Sequence, residues 1–197
     1  MAHAAVSEHH ATPTWQGITT VKFAWWLFLA SEVMFFAGLI AAYIVLRAGS
    51  PDWPIVSEEL NVPLVAGNTL ILIVSSVTMV QAYAAIEVGD QKKLRNMLLA
   101  TAALGVIFLS IQGIEWSALL REGVAAQNSL FGASFYTLTG FHGAHVSGGV
   151  VGLVFVNLKA LRGGYTQAAH EGVELMGLYW HFVDVVWIIL FTIIYLI

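Results

Sequence analysis

The chain has 197 residues, of which 58% are hydrophobic and 10% charged, and a mean hydropathy of +0.79; such a surface belongs in a membrane rather than in water. Eight Lys and Arg against twelve Asp and Glu leave a net charge of -4, without the basic coat that a phosphate backbone requires, so nucleic-acid binding is excluded. With no cysteine there is no disulfide framework, thiolate zinc site, iron-sulfur cluster, c-type haem attachment or thiolate-bridged copper, and any metal would rely on His and carboxylates.

Residues 1–21, with His3, His9, His10, Pro13 and Trp15, have neither the basic start nor the apolar run of a signal peptide and are expected to form a solvated tail. The first predicted span runs from Phe23 to Leu46, apolar except for Glu32, and its rise of about 35 Å crosses a hydrocarbon core. Four more runs pass the same test: Val62 to Ile86, Asn96 to Leu120 with Glu115 inside, Gly132 to Leu158 with no charged side chain, and Leu175 to Ile197. These runs are too long for barrel strands, and only a helix satisfies its backbone within one segment, so the expected fold is all-α: a polytopic bundle of five transmembrane helices. Pro63 suits the first turn of span two, and Gly163-Gly164 is a stop signal for span four. No long linker and no internal repeat divides residues 22–197, which are expected to form one domain.

Lys22, Lys92, Lys93, Arg95, Lys159 and Arg162 fall on one side of the spans, and only Arg47 and Arg121 on the other. The amino terminus is therefore expected inside and the carboxy terminus outside. The loop with Asp52, Glu58 and Glu59 then faces outward as a solvated acidic surface.

Within the spans, Glu32 and Asp184 lie about 13 Å from the inner ends, His181 about 9 Å, His145 about 20 Å and His142 about 24 Å. An ionised side chain facing lipid at such depth costs about 2.5 to 3.5 kcal/mol, so each should turn inward, find a partner or stay neutral. Two functions are open for Glu32 and Asp184, a hydrogen-bonded structural carboxyl and a proton-responsive group; no spacing shows a continuous relay. His142 and His145 lie on nearly one face of span four, which rules out ligation of opposite faces of one haem by this pair. A metal held by them with His181 and a carboxylate, or a haem between spans four and five, is chemically possible, but helical spacing alone is a weak signal. Ala144, Gly148 and Gly152 form a stripe of small side chains suited to close helix packing. Trp25, Trp26, Trp180, Trp187 and Tyr195 are expected as interfacial anchors and bundle filling.

Three segments resemble subunit III of haem-copper oxidases, the cytochrome c oxidase subunit III family: Ser31-Glu32-Val33-Met34-Phe35-Phe36, Phe141-His142-Gly143-Ala144-His145-Val146, and the run from Tyr179 through Trp180, His181, Phe182, Val183, Asp184, Val185 and Val186 to Trp187. Gln112, Glu115, Gly132 to Gly140, His170, Gly172 and Glu174 agree further, and the resemblance covers residues 22–197. It implies the five-helix form of the family, without the first two of seven helices that complete a lipid-holding V-shaped cleft in larger members. It also implies that Glu32 is the carbodiimide-reactive carboxyl, that Lys159 meets lipid head groups where Arg is more usual, and that Phe28 contacts lipid beside Glu32. Lys lacks the bidentate fork of Arg.

The resemblance further implies an accessory subunit with no redox cofactor of its own, bound in a bacterial cytoplasmic membrane to subunit I, which carries the haems and copper, and to phospholipid. There it would stabilise the catalytic subunit and support proton uptake. The absence of cysteine and the four His beyond the tail, His142, His145, His170 and His181, too few for two haems and a copper, agree with that. A quinol oxidase, a nitric oxide reductase relative, membership of a larger respiratory supercomplex, and an independent proton or ion carrier using the polar layer remain open readings.

Overall fold

The computed structural model describes residues 14–15, 18–51, 53–54 and 60–197. His3, His9, His10, Pro13, Asp52, Glu58 and Glu59 lie outside the described residues, as does the Trp15 side chain. Five helices are long and apolar enough to cross a membrane: α1 (Thr20–Gly49), α2 (Val62–Glu87), α3 (Gln91–Arg121), α4 (Leu130–Leu161) and α5 (Glu171–Phe191), the last extended by a π turn over Thr192–Leu196. A two-stranded ribbon pairs β1 (Thr14–Trp15) with β2 (Ile18–Thr19) where a plain tail was expected. Its second strand runs directly into α1, which begins at Thr20, two residues before the expected domain boundary.

Short polar side chains start four of the helices by accepting an otherwise orphaned backbone N–H. Thr19 accepts from Lys22 N at 3.2 Å, Asn61 from Leu64 N at 3.2 Å, Asp90 from Lys93 N at 2.9 Å and Ser129 from Gly132 N at 2.9 Å. Pro63 lies in the first turn of α2. α5 has no side-chain cap; instead Glu171 and Glu174 in its first turn complement the helix dipole. The stop after α4 uses Gly163 at φ +72°, with Gly163 N on Ala160 O and Gly164 N on Lys159 O, a left-handed residue that closes the last turn.

Helices α2 to α5 form a packed unit centred on α5. Trp180 is 1% exposed, and Trp187, two turns along, is fully buried. The Trp180 indole donates to Ser75 Oγ on α2 at 2.9 Å, and the Trp187 indole to Thr69 Oγ1 at 3.0 Å. A methyl group at Gly105 of α3 would stand 2.6 Å from the Trp180 ring, and one at Gly149 of α4 would stand 2.8 Å from it. The ring therefore occupies a slot that exists because two helices carry no side chain there. Trp187 meets Phe108 of α3 edge-on at 5.0 Å and stacks on His142 of α4 at 4.8 Å.

α1 is attached differently. It packs on α4 and α5, and its buried residues are Leu29, Phe36 and Tyr43, one every seven positions, which makes a narrow seam. Most of its remaining surface is exposed and apolar, including Val33 and Met34.

Gly149→Ala should destabilise the bundle by about 1 to 3 kcal/mol through overpacking against Trp180. Gly143→Ala, where nothing lies within 4 Å, should be neutral or slightly stabilising. Thermal unfolding in detergent checks the pair, and equal midpoints would refute the slot.

Candidate functional site: polar contacts inside the spans

The polar layer expected from the sequence divides into separate clusters. Glu32 of α1 and His145 of α4 form a pair, His145 Nε2 to Glu32 Oε2 at 3.0 Å, with both side chains 19% exposed. His145 Nδ1 lies 2.6 Å from Phe141 O, which turns the ring toward α1. Tyr179 of α5 donates to His145 O at 3.0 Å. Phe36 packs edge-on to the imidazole at 5.0 Å.

His142 points elsewhere. It is 1% exposed, enclosed by Trp187 and by Phe108 at 5.9 Å, and neither ring nitrogen has a partner among the described residues. Three residues of helix rotate the two imidazoles by about 60°, which suffices to send His145 to the α1 seam and His142 into the bundle. The near-common face expected from spacing thus serves two distinct environments.

On α5, His181 Nδ1 lies 2.5 Å from Ser76 Oγ of α2. Asp184, 6% exposed, lies near the same Ser76 hydroxyl, and its Oδ1 has no partner among the described residues. Glu32 and Asp184 share an expected depth, yet the structure gives them different partners on different helix seams.

Glu115 of α3 is buried at 4% exposure. Its Oε2 accepts from Gln112 Nε2 at 2.8 Å and from the Tyr195 hydroxyl at 3.2 Å. Tyr195 sits in the π turn, whose end is fixed by Arg47 of α1, donating to Ile193 O at 3.3 Å and to Ile197 O at 2.5 Å.

At the end of the bundle where α1 begins, Lys22 pairs with Glu174 and Thr19 bonds Glu171. His170 precedes the first turn of α5 and meets the Tyr83 ring edge-on at 5.7 Å. Thr19, Lys22, His170, Glu171, Glu174 and Lys159 line a polar pocket of about 630 Å³. Lys159 Nζ stands 4.6 Å over the Tyr165 ring, a cation–π contact, and burial pushes the Tyr165 phenol above its ordinary pKa.

Next to that pocket, between α1, α4 and α5, runs an apolar groove of about 650 Å³ lined by Trp25, Phe28, Gly148, Gly152, Met176 and Tyr179. Phe28 stacks on Tyr179 at 6.2 Å. A methyl at Gly152 would meet Met176 Sδ at 2.8 Å, and one at Gly148 the Tyr179 hydroxyl at 3.7 Å. The glycine stripe therefore receives side chains of α5 rather than another backbone, and Gly149 beside it is the tighter position.

The α2 polar residues Asn68, Thr69, Ser75 and Ser76 were not among the residues expected to matter, although Thr69 receives Trp187, Ser75 receives Trp180, Ser76 meets His181 and Asn68 donates to the Phe108 carbonyl. The signal was present as two polar pairs in an apolar run. Arg47, read only as a topology marker, also proves to be a tie between helices.

No three His, Asp or Glu side chains converge as a metal site among the described residues. The span imidazoles are engaged separately. His145 is bonded to Glu32, His181 to Ser76, and His142 is closed in by aromatic rings.

Fold and polar contacts together define an integral membrane helix bundle in which hydrogen bonds and aromatic rings join one helix to the next. The model of the family described as cytochrome c oxidase subunit III matches residues 1–197. Among curated relatives, the probable cytochrome c oxidase subunit 3 of Nocardia farcinica is 41% identical over 170 residues, covering 86% of this chain and 84% of the relative. The cytochrome c oxidase subunit 3 of Corynebacterium diphtheriae is 43% identical over 174 residues, 87% of this chain and 85% of the relative. That of Synechocystis is 40% identical over 190 residues, 95% and 78%. The chain belongs to the cytochrome c oxidase subunit III family. As a member it is one subunit of an oxidoreductase complex, with other oxidase subunits as its partners.

Glu115→Leu should leave the Tyr195 hydroxyl and the Gln112 amide buried and unpaired, at a cost of about 1 to 3 kcal/mol for each group. Glu115→Gln, which keeps an acceptor, should lose less. The thermal midpoint of the detergent-solubilised protein orders the two, and equal losses would contradict the assignment.

Proposed function

We propose that this chain is the accessory, cofactor-free subunit of a cytochrome c-type terminal oxidase in aerobic respiration, stabilising the catalytic subunit, holding phospholipid and supporting proton uptake. The observation that carries this reading is the separate engagement of the span histidines: each imidazole is used or enclosed by its own helix seam, and no two face a common ligand position. The haems and copper then belong to partner subunits, with subunit I the neighbour. The names of the bacterial relatives support the electron donor class, and five apolar spans in a family with bacterial members support a cytoplasmic-membrane location.

Lipid holding is supported by the apolar groove beside Phe28 opening next to a polar pocket with Lys22 and Lys159, a combination matching acyl chains and an anionic head group. In this reading the amino terminus faces inward with the Lys- and Arg-rich ends, and residues 22–197 act as one domain. Glu115, His142, His181 and Asp184 serve as structural polar groups, with Trp180, Trp187, Gly148, Gly152, His170 and Glu174 shaping the packing around them. Glu32 with His145 is the pair placed to respond to a proton, since both side chains keep partial exposure.

Affinity purification from native membranes in mild detergent tests the proposal. The chain should bring with it a haem-copper catalytic subunit, and all haem absorbance should leave when that subunit is stripped away. A native complex without such a subunit, or a coloured isolated chain, would overturn it. Glu32→Ala should leave the haem spectrum of the complex unchanged while lowering its yield or its stability during turnover; a lost haem signal in a normally assembled complex would contradict this.

A further inference from the structure

Near the end of the bundle where α1 finishes, polar side chains of α1, α3 and the π turn meet inside the protein. Glu115 lies six residues before the end of α3, about 9 Å along the axis, and is 4% exposed, as are Gln112 and Tyr195; Tyr43 of α1 is 1% exposed. The Tyr195 hydroxyl is their common neighbour. It donates to Glu115 Oε2 at 3.2 Å, and Gln112 and Tyr43 lie close to it. Trp53 meets the Tyr43 ring edge-on at 5.4 Å and, with Arg47, lies beside the Tyr43 hydroxyl.

Four buried atoms of this cluster have no hydrogen-bond partner among the described residues: Glu115 Oε1, Gln112 Oε1, the Tyr43 hydroxyl and Trp53 Nε1. The neighbouring polar groups are already committed. The Gln112 amide nitrogen donates to Glu115 Oε2 at 2.8 Å, Arg47 donates to the carbonyls of the π turn, and Tyr136 donates to Val124 O at 2.9 Å. The four atoms differ in kind: a carboxylate or amide oxygen accepts, an indole N–H only donates, and a phenol does both. A cation would serve the oxygens and leave the donors facing it, and an anion would serve the donors and face Glu115. Water serves both, and a buried water makes about three hydrogen bonds to groups otherwise unsatisfied. Packing here is loose, since a groove of about 190 Å³ between α1 and α4 runs past Tyr43.

We infer that Glu115, Gln112 and Tyr43 form a binding site for an internal water molecule, which accepts from the Tyr43 hydroxyl and donates to Glu115 Oε1 and Gln112 Oε1. The Tyr43 oxygen then remains the acceptor for the Trp53 N–H, so that one water completes the bonding of all four atoms. α1 packs on α4 and α5, and this water adds a link from α1 to the core of α3. The site is built from this chain alone and does not depend on the proposed function.

X-ray hydroxyl-radical footprinting of the detergent-solubilised native assembly tests the site, because radiolysis of a bound water oxidises the side chains beside it. Tyr43 and Tyr195 should be oxidised several times faster than Phe108 and Phe135, rings that are comparably buried and carry no polar atom. Equal protection of all four would overturn the site. Tyr43→Phe keeps the ring and removes the hydroxyl that holds the water, so oxidation of Tyr195 should fall toward the level of Phe135. Tyr195 oxidation that stays high in an assembled Tyr43→Phe protein would refute the shared site. A cryo-EM map of the unaltered assembly fine enough to show ordered water gives a check that needs no variant. It should contain a peak within hydrogen-bond distance of both Glu115 Oε1 and the Tyr43 hydroxyl, and a direct contact between those two side chains with no peak between them would contradict the inference.

Discussion

A polar atom within hydrocarbon has no water to bond, so its partner must come from protein. Trp180 and Trp187 show how that constraint organises this chain. Each carries a large apolar ring into the bundle and one N–H that needs an acceptor, and in both cases a hydroxyl of α2 supplies it. Glycines of α3 and α4 open the slot for the first ring, and Phe108 and His142 close around the second. Two side chains, two turns apart on one helix, thus fix the positions of three others.

α1 lies outside that arrangement and depends on polar contacts at three levels. Lys22 with Glu174 holds one end, Glu32 with His145 the middle, and Arg47 on the carbonyls of the π turn the other end. Between these ties the seam with α4 and α5 leaves apolar grooves, one beside Phe28 and a smaller one of about 190 Å³ beside Tyr43. A helix attached at intervals keeps a large apolar surface available to lipid and neighbouring subunits. That arrangement suits the packing role proposed for this subunit.

The five spans were legible because apolar length is a one-dimensional property, and the stop at Gly163 and the place of Pro63 were legible from local backbone chemistry. The family was legible in the Tyr179 to Trp187 run. The pairing of polar groups was less so: depth along a helix can be counted, but the direction in which a side chain leaves the helix depends on its neighbours. Counting set Glu32 level with Asp184, whereas rotation about the axes gave Glu32 to His145 and turned Asp184 toward the α2 side of the bundle, near Ser76. Ser75, Ser76 and Thr69 were inconspicuous for the same reason, since a hydroxyl that satisfies itself on its own helix and one that receives an indole N–H look alike in sequence. The short ribbon before α1 escaped because two-residue strands carry no periodicity.

The central claim is that acids and imidazoles within the spans join helix to helix. A double-mutant cycle on Glu32→Leu and His145→Leu, read as the thermal midpoint for loss of the subunit from the intact complex, tests it most directly. A coupling of about 0.6 to 1.7 kcal/mol is predicted, from the average to the maximum found for hydrogen bonds between membrane helices, with the haem spectrum unchanged in all four proteins. Strictly additive effects, or loss of the haem signal in the single variants, would contradict it.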